Sequence, residues 1–217
     1  MDTYRGYNSG MAGDDGRAQV QLDEDTLARR RGVLGDDHPD TLASADGLAV
    51  SLRAVGGYPG ALAPASSLAT ISRHTGEFQA ARELGEDTLA RRRRVLGDDH
   101  PDTLASADNL AMILGRVGEH RAARELAEDT LARRRRVLGD DHPDTLTSAY
   151  ILAAQLSELG EYQAARELAE DTLARRRRVL GDDHPDTGGS ASLAYFLRTP
   201  RVLLKTISWA SRRRRAG

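Results

Sequence analysis

The chain has 217 residues and no cysteine, which excludes a disulfide framework, a thiol nucleophile and any zinc site built on thiolates. Aromatic residues make up only 4%. That is lean for one deep globular core but suits a stack of Ala- and Leu-rich helices. No uninterrupted apolar run approaches the roughly 20 residues needed to cross a bilayer. The opening MDTYRGYNSGMAGDDG lacks the basic start and apolar run of a signal peptide. These absences predict a soluble, intracellular, cytoplasmic protein. There is no Gly-rich phosphate loop, and Ser, His and acidic residues occur mostly in repeated copies. No catalytic residue is therefore assigned, and no cofactor, metal or small-molecule substrate is expected.

What the chain does contain is a long internal repeat. Most of the stretch GDDHPDTLASADNLAMILGRVGEHRAARELAEDTLARRRRVL, from Gly97 to Leu138, returns 42 residues later from Gly139 to Leu180. A period of this size marks units that bury their apolar faces only against their neighbours. Copies of GDDHPDT start at Gly35, Gly97, Gly139 and Gly181, so the first interval is 62 and the next two are 42. Two full units would need 84, leaving a deficit of 22, which reads as an internal deletion. The segment around it begins like a second helix of the repeat and ends like a first one. Pro59, Gly60 and Pro64 cluster at the scar and predict a local defect at 56–65.

Within a unit, Leu104, Ala107, Leu110, Ala111, Leu114 and Val117 recur at i, i+3, i+4, i+7 and predict an amphipathic helix A. Gly118 supplies the turn. Ala123, Leu126, Ala127, Leu131 and Leu138 mark one side of a helix B. Its other face carries the i,i+4 pairs Arg121/Glu125, Arg124/Glu128 and Asp129/Arg133, each worth about 0.2–0.5 kcal/mol. Pro101 and Pro143 sit at first-turn positions that need no N–H donor. The fold class is accordingly all-α, an αα-hairpin repeat solenoid with a truncated second unit and degenerate ends. Residues 1–15 read as a disordered tail and 16–187 as the repeat array, starting with a helix B that lacks its helix A. Residues 188–217 read as a degenerate helical cap with a basic tail, two short helices broken near Thr199-Pro200.

The run Asn109-Leu110-Ala111 with Leu114, Gly118, Ala123 and Leu131 resembles the tetratricopeptide repeat. The 42-residue length and the GDDHPDT connector resemble its kinesin-light-chain type, found also in actinobacterial repeat proteins. Thr130 departs from the pattern, standing where that family usually has Ala. The resemblance implies a right-handed superhelix whose concave face, lined by helix A, holds a protein or peptide ligand.

Three charged features need separate readings. Asp98, Asp99, His100 and Asp102 recur in four copies as a metal-like cluster. Asp and Pro also suit a helix start, and an identical loop in every unit favours that structural use. The Arg quartets 91–94, 133–136 and 175–178 look like a nucleic-acid stripe, but Gly97–Leu138 holds seven Arg against eight acidic residues. Phosphate binding needs uncompensated charge, so an Arg/Asp ladder is expected, with Arg134 snorkelling outward from the apolar side. From Gly189 onward, by contrast, there are seven basic residues and no acid: Arg198, Arg201, Lys205, Arg212, Arg213, Arg214 and Arg215. This segment reads either as a cap for the stack or as a basic amphipathic docking helix for an anionic membrane or nucleic acid. The cap is favoured, because a stack needs cover. The docking reading would make the array a sensor or regulatory arm of a larger system.

Copies within the chain differ most in helix A, while helix B and the connector are nearly constant. The candidate partner-binding groove is Ser67, Thr70, Arg73, Asp108, Asn109, Met112, Arg116, Tyr150, Ile151, Ala154 and Glu158. Drift at solvated positions is the alternative source of such variation. The expected function is a non-catalytic protein- or peptide-binding scaffold; the oligomeric state is left open.

Overall fold

The computed structural model describes residues 14–55 and 68–198. The described residues form eight α-helices and no strand: α1 (Asp14–Leu34), α2 (Pro39–Val55), α3 (Leu68–Leu96), α4 (Pro101–Arg116), α5 (His120–Leu138), α6 (Pro143–Glu158), α7 (Tyr162–Leu180) and α8 (Pro185–Arg198). The defect expected at 56–65, the break expected near Thr199-Pro200 and nearly all of the tail expected at 1–15 lie outside the described residues. The all-α class holds.

The chain divides into two compact units, Met1–Val137 and Leu138–Gly217. In the first, α1 to α4 pack in sequence order. Leu27 of α1, Ala45, Leu48, Ala49 and Leu52 of α2, Ala81 of α3 and Ile113 of α4 form one cluster. Leu89 of α3, Ala107, Leu110 and Leu114 of α4 and Ala123 of α5 form a second. In the second unit, Ala153 of α6, Ala169 and Leu173 of α7 and Ala194 of α8 make the core. Each helix thus buries its stripe mainly against the next in sequence, with α2 also reaching α4 and α6 reaching α8, as a stack of repeats demands. Helices α4 and α6 are helix A and α5 and α7 helix B of two regular hairpins; α1 is a helix B and α8 a helix A.

Local chemistry ends α4 and α6 where the repeat says it should. Gly118 and Gly160 take φ of 86° and 82°, a left-handed conformation that a Cβ would disfavour. The Glu119 and Glu161 N–H groups then reach back to the Leu114 and Leu156 carbonyls at 2.9 Å, closing helix A in a Schellman turn. At the helix A start, the structure replaces the expected carboxylate cap with an imidazole. The N–H of Asp102 donates to His100 Nδ1 at 3.1 Å, and the same bond recurs at His38, His142 and His184. An imidazole accepting at Nδ1 carries its proton on Nε2. Among the described residues no three His or acidic side chains converge as metal ligands would.

Helix α3 departs from the expected pattern. It runs unbroken for 29 residues through Gly76, the position equivalent to the turn glycines 118 and 160. A helix A ending before Gly76 does not form, and α2 packs against α3 as α6 does against α7. The sequence there has Ser72 and Thr75 in the places of Leu114 and Val117, so the apolar residues that flank the regular turn are missing.

Gly85 of the same helix stands where the later copies have the buried Ala127 and Ala169. A Cβ there would come within 3.3 Å of Leu110 Cδ1, the movable end of a side chain. Gly85→Ala is therefore expected to stabilise the first unit by about 0.5–1 kcal/mol through helix propensity. Urea unfolding followed by circular dichroism would show a higher midpoint.

Candidate partner-binding surface

The helix A surfaces are set in place by arginines that the charge pattern hid among their neighbours. The second Arg of each quartet points inward. Arg92 donates to the Asp102 carbonyl at 2.7 Å and to Ser106 Oγ at 2.8 Å. Arg30 and Arg176 repeat both bonds at Asp40 with Ser44 and at Asp186 with Ser190. Each of these arginines thereby clamps the start of the next helix A. Arg92 also pairs with Asp46 of the preceding helix A, and Arg134 lies 3.0 Å from Asp108 with both side chains only 6% exposed. The outward snorkelling expected of Arg134 is thus incorrect: a buried carboxylate holds its guanidinium inside. Burial pushes the Asp46 carboxyl above its ordinary pKa, against the pull of Arg92 and the Ser106 hydroxyl.

In the second unit this arrangement changes. Tyr150 stands where Asp46 and Asp108 stand, and Thr147 replaces the small Ala43 and Ala105. Arg176 lies 5.5 Å from the Tyr150 ring centroid and donates to Thr147 Oγ1 at 3.2 Å. Burial lowers the Arg176 pKa, against the raising pull of Asp186 and Tyr150.

The outer arginines build the expected ladder. Asp99 accepts from Arg133 at 3.1 Å and from Arg136 at 2.7 Å; Asp37 serves Arg91 and Arg94, and Asp141 serves Arg175 and Arg178. Hydrogen bonds from these arginines depress the Asp99 and Asp141 carboxyls below the ordinary range. These cations are compensated and do not form a bare phosphate-binding stripe. The helical pairs Arg124–Glu128 and Arg133–Asp129 close at 2.9 and 2.8 Å.

The candidate groove residues separate by unit. In the first unit Asn109 and Met112 are half-buried and Arg116 is exposed, whereas Asp108 is sealed in its ion pair. In the second, Ala154 is half-buried and Glu158 exposed, Ile151 is buried, and Tyr150 is engaged beneath Arg176. Asp108 and Ile151 therefore drop out of any exposed surface. Ser67 lies outside the described residues; Thr70 and Arg73 fall on the first turns of α3, and their side chains are outside the described set. Of the basic docking set, Arg198 pairs with Glu170 at 2.7 Å; Arg201, Lys205 and Arg212 to Arg215 lie outside the described residues.

One residue outside the candidate set joins the surface of the first unit. Arg53, in the last turn of α2, is half-buried, and among the described residues it has no acidic partner. Burial and the like charge of Arg116 both lower its pKa. The Arg116 guanidinium lies 5.9 Å from the Phe78 ring centroid. Asn109, Met112, Arg116 and Arg53 thus give this unit a polar, apolar and cationic set on its helices A. Arg53 stands where the later copies have Gly115 and Ser157, so its variation is visible in the sequence, but its burial is not.

A sequence profile described as tetratricopeptide repeat matches residues 61–136 and again 107–178, and a second profile of the same description matches 16–40. A Podosopora anserina structure described as a kinesin light chain with nearly identical TPR-like repeats has a TM-score of 0.63 at 28% identity, over 84% of this chain and 77% of that one. A point variant of that Podosopora anserina protein gives 0.66 at 27% identity, over 93% of this chain and 85% of that one. BtubC (BKLC) from P. vanneervenii, at 16% identity and a TM-score of 0.59 over 86% and 68%, shares the fold. No curated protein matches the chain.

Proposed function

The chain belongs to the tetratricopeptide-repeat family, whose repeats build protein-interaction scaffolds, and from that premise we propose that it is a non-catalytic scaffold binding an acidic peptide segment of a partner protein. The ligand lies against α2 and α4 of the first unit. Arg53 carries the reading, as a half-buried cation beside Arg116 with no acid to answer it among the described residues. A carboxylate from a partner relieves both the like-charge repulsion and the unmet burial of the guanidinium. Met112, one turn before Arg116 on α4, offers apolar contact and Asn109 an amide for a peptide backbone. Variation of these positions on a constant helix B frame is the pattern that partner choice requires.

The test is selection from a displayed random-peptide library, followed by fluorescence anisotropy on the enriched sequences. Enriched peptides should carry Asp or Glu, bind more weakly as salt rises, and lose on the order of tenfold in affinity with Arg53→Gln or Met112→Asp. Peptides that bind equally to both variants, or enrichment without acidic residues, would sink the proposal.

A further inference from the structure

Helix α1 is a helix B whose own helix A is absent from the described residues. Sequence register makes its Leu22 the counterpart of Leu84, Leu126 and Leu168. Each of those three packs against a core cluster, Leu126 against the one that holds Leu110 and Leu114 of α4. Leu22 is instead 54% exposed. Thr26 is half-buried where Thr88, Thr130 and Thr172 are buried. Val33 is 82% exposed, against 42–47% for Val95, Val137 and Val179. Leu22, Thr26, Arg29 and Val33 follow at i, i+4, i+7, i+11 and so share one side of the helix. A different side, with Val20, Asp23 and Leu27, meets α2. Helix α1 thus has one of the two covers that its later copies receive.

The charges on the open side also lack the partners that the repeat supplies. In the later copies the first Arg of each quartet bonds the acid four residues before it, at 2.8 Å in Arg91–Asp87, Arg133–Asp129 and Arg175–Asp171. It also reaches the second Asp of the preceding connector. Arg29 and Asp25 hold the same two positions, yet their side chains form no ion pair among the described residues. Arg29 donates to the Asp25 backbone carbonyl at 3.2 Å, and the Asp25 carboxylate takes a long 3.4 Å bond from the Gln21 amide. An exposed acid and an exposed base therefore stand one turn apart, between two exposed apolar residues.

That order is self-complementary when the helix is turned end over end. Against an antiparallel copy of α1, Leu22 meets Val33 and Thr26 meets Arg29. The two-fold axis passes between Leu27 and Ala28, so every contact occurs twice. Asp25 then falls opposite Arg29 of the second copy, and Arg29 opposite its Asp25. A parallel copy would set acid against acid and base against base. Antiparallel is also the direction in which a helix A runs beside its own helix B.

We propose that α1 is a self-docking surface, on which two copies of the chain pair through antiparallel α1 helices and each supplies the cover that the other lacks. The contact is isologous and closes on itself, so association stops at the dimer. A single helix pair lies at the small end of specific interfaces, and a dissociation constant on the order of 10–100 μM is expected. The surface includes neither Arg53 nor Met112 and is independent of the peptide-binding reading.

The test is sedimentation equilibrium on the full chain at low salt, up to about 0.5 mM, well above that constant. Circular dichroism confirms that each variant folds, and all the substituted positions are exposed. Wild type should follow a monomer–dimer equilibrium. Leu22→Asp should weaken dimerisation by on the order of tenfold or more. Asp25→Arg and Arg29→Asp should each weaken it by on the order of tenfold, because each sets like charges opposite one another twice. The combined Asp25→Arg/Arg29→Asp exchange should recover most of the wild-type affinity, since every acid again faces a base. Three results would overturn the proposal. A wild type that stays monomeric at the highest concentration means that α1 does not dock on itself. Dimerisation unchanged by Leu22→Asp places the contact elsewhere on the chain. A combined exchange that binds no tighter than the single variants means that the helices do not meet antiparallel in this register.

Discussion

Replacing Asp108 by alanine is expected to destabilise the first unit by about 3–5 kcal/mol, although it removes only a short polar side chain. The carboxylate lies 3.0 Å from the Arg134 guanidinium, and both side chains are almost fully enclosed. Removing it leaves a cation that can neither reach water nor give up its proton near neutral pH. The pair as a whole contributes little, since bringing both charges out of water offsets most of their attraction. The cost arises from the one left behind. Urea unfolding should therefore show a midpoint far below that of the exposed-rung variant Asp99→Ala, whose loss is expected to stay within about 1 kcal/mol. Equal midpoints for the two would mean that Arg134 finds water or another acid.

The second large effect is a contrast between equivalent arginines. Arg134→Met should cost about 3–5 kcal/mol, because it strands Asp108 in an apolar setting. Arg176→Met removes the same side chain from the same repeat position but strands no carboxylate, since Tyr150 stands in place of the acid. What it leaves are Ser190, Thr147 and a backbone carbonyl, and methionine fills much of the volume. Its cost is expected to stay below about 2 kcal/mol. Calorimetry of the two variants should separate them plainly. Introducing Asp108→Tyr beside Arg134→Met would move the first unit toward the second, recovering part of the loss if the stranded acid is its cause.

Periodicity made most of this architecture readable in advance. A 42-residue repeat with apolar residues at i, i+3, i+4, i+7 admits only paired helices that shelter one another. The buried Leu104, Leu110, Leu114 and Leu131 follow from that spacing. So do the turn at Gly118 and the exposed rungs at Asp99 and Asp141, because each depends on residues whose helical phase is set locally. The straight passage of α3 through Gly76 was not readable, since glycine permits a turn without requiring one.

The sequence by itself determined the helices, their order and their buried stripes, because hydrophobic phase is a one-dimensional property of the chain. Tertiary structure alone decided which charges are hidden: Arg134 looked like three other arginines until Asp108, a helix away, was brought against it. It also moved Asp108 and Ile151 from the surface to the interior and, among the described residues, left Arg53 without an answering acid. Burial and pairing depend on what a neighbouring element places opposite a side chain, and no local spacing carries that information.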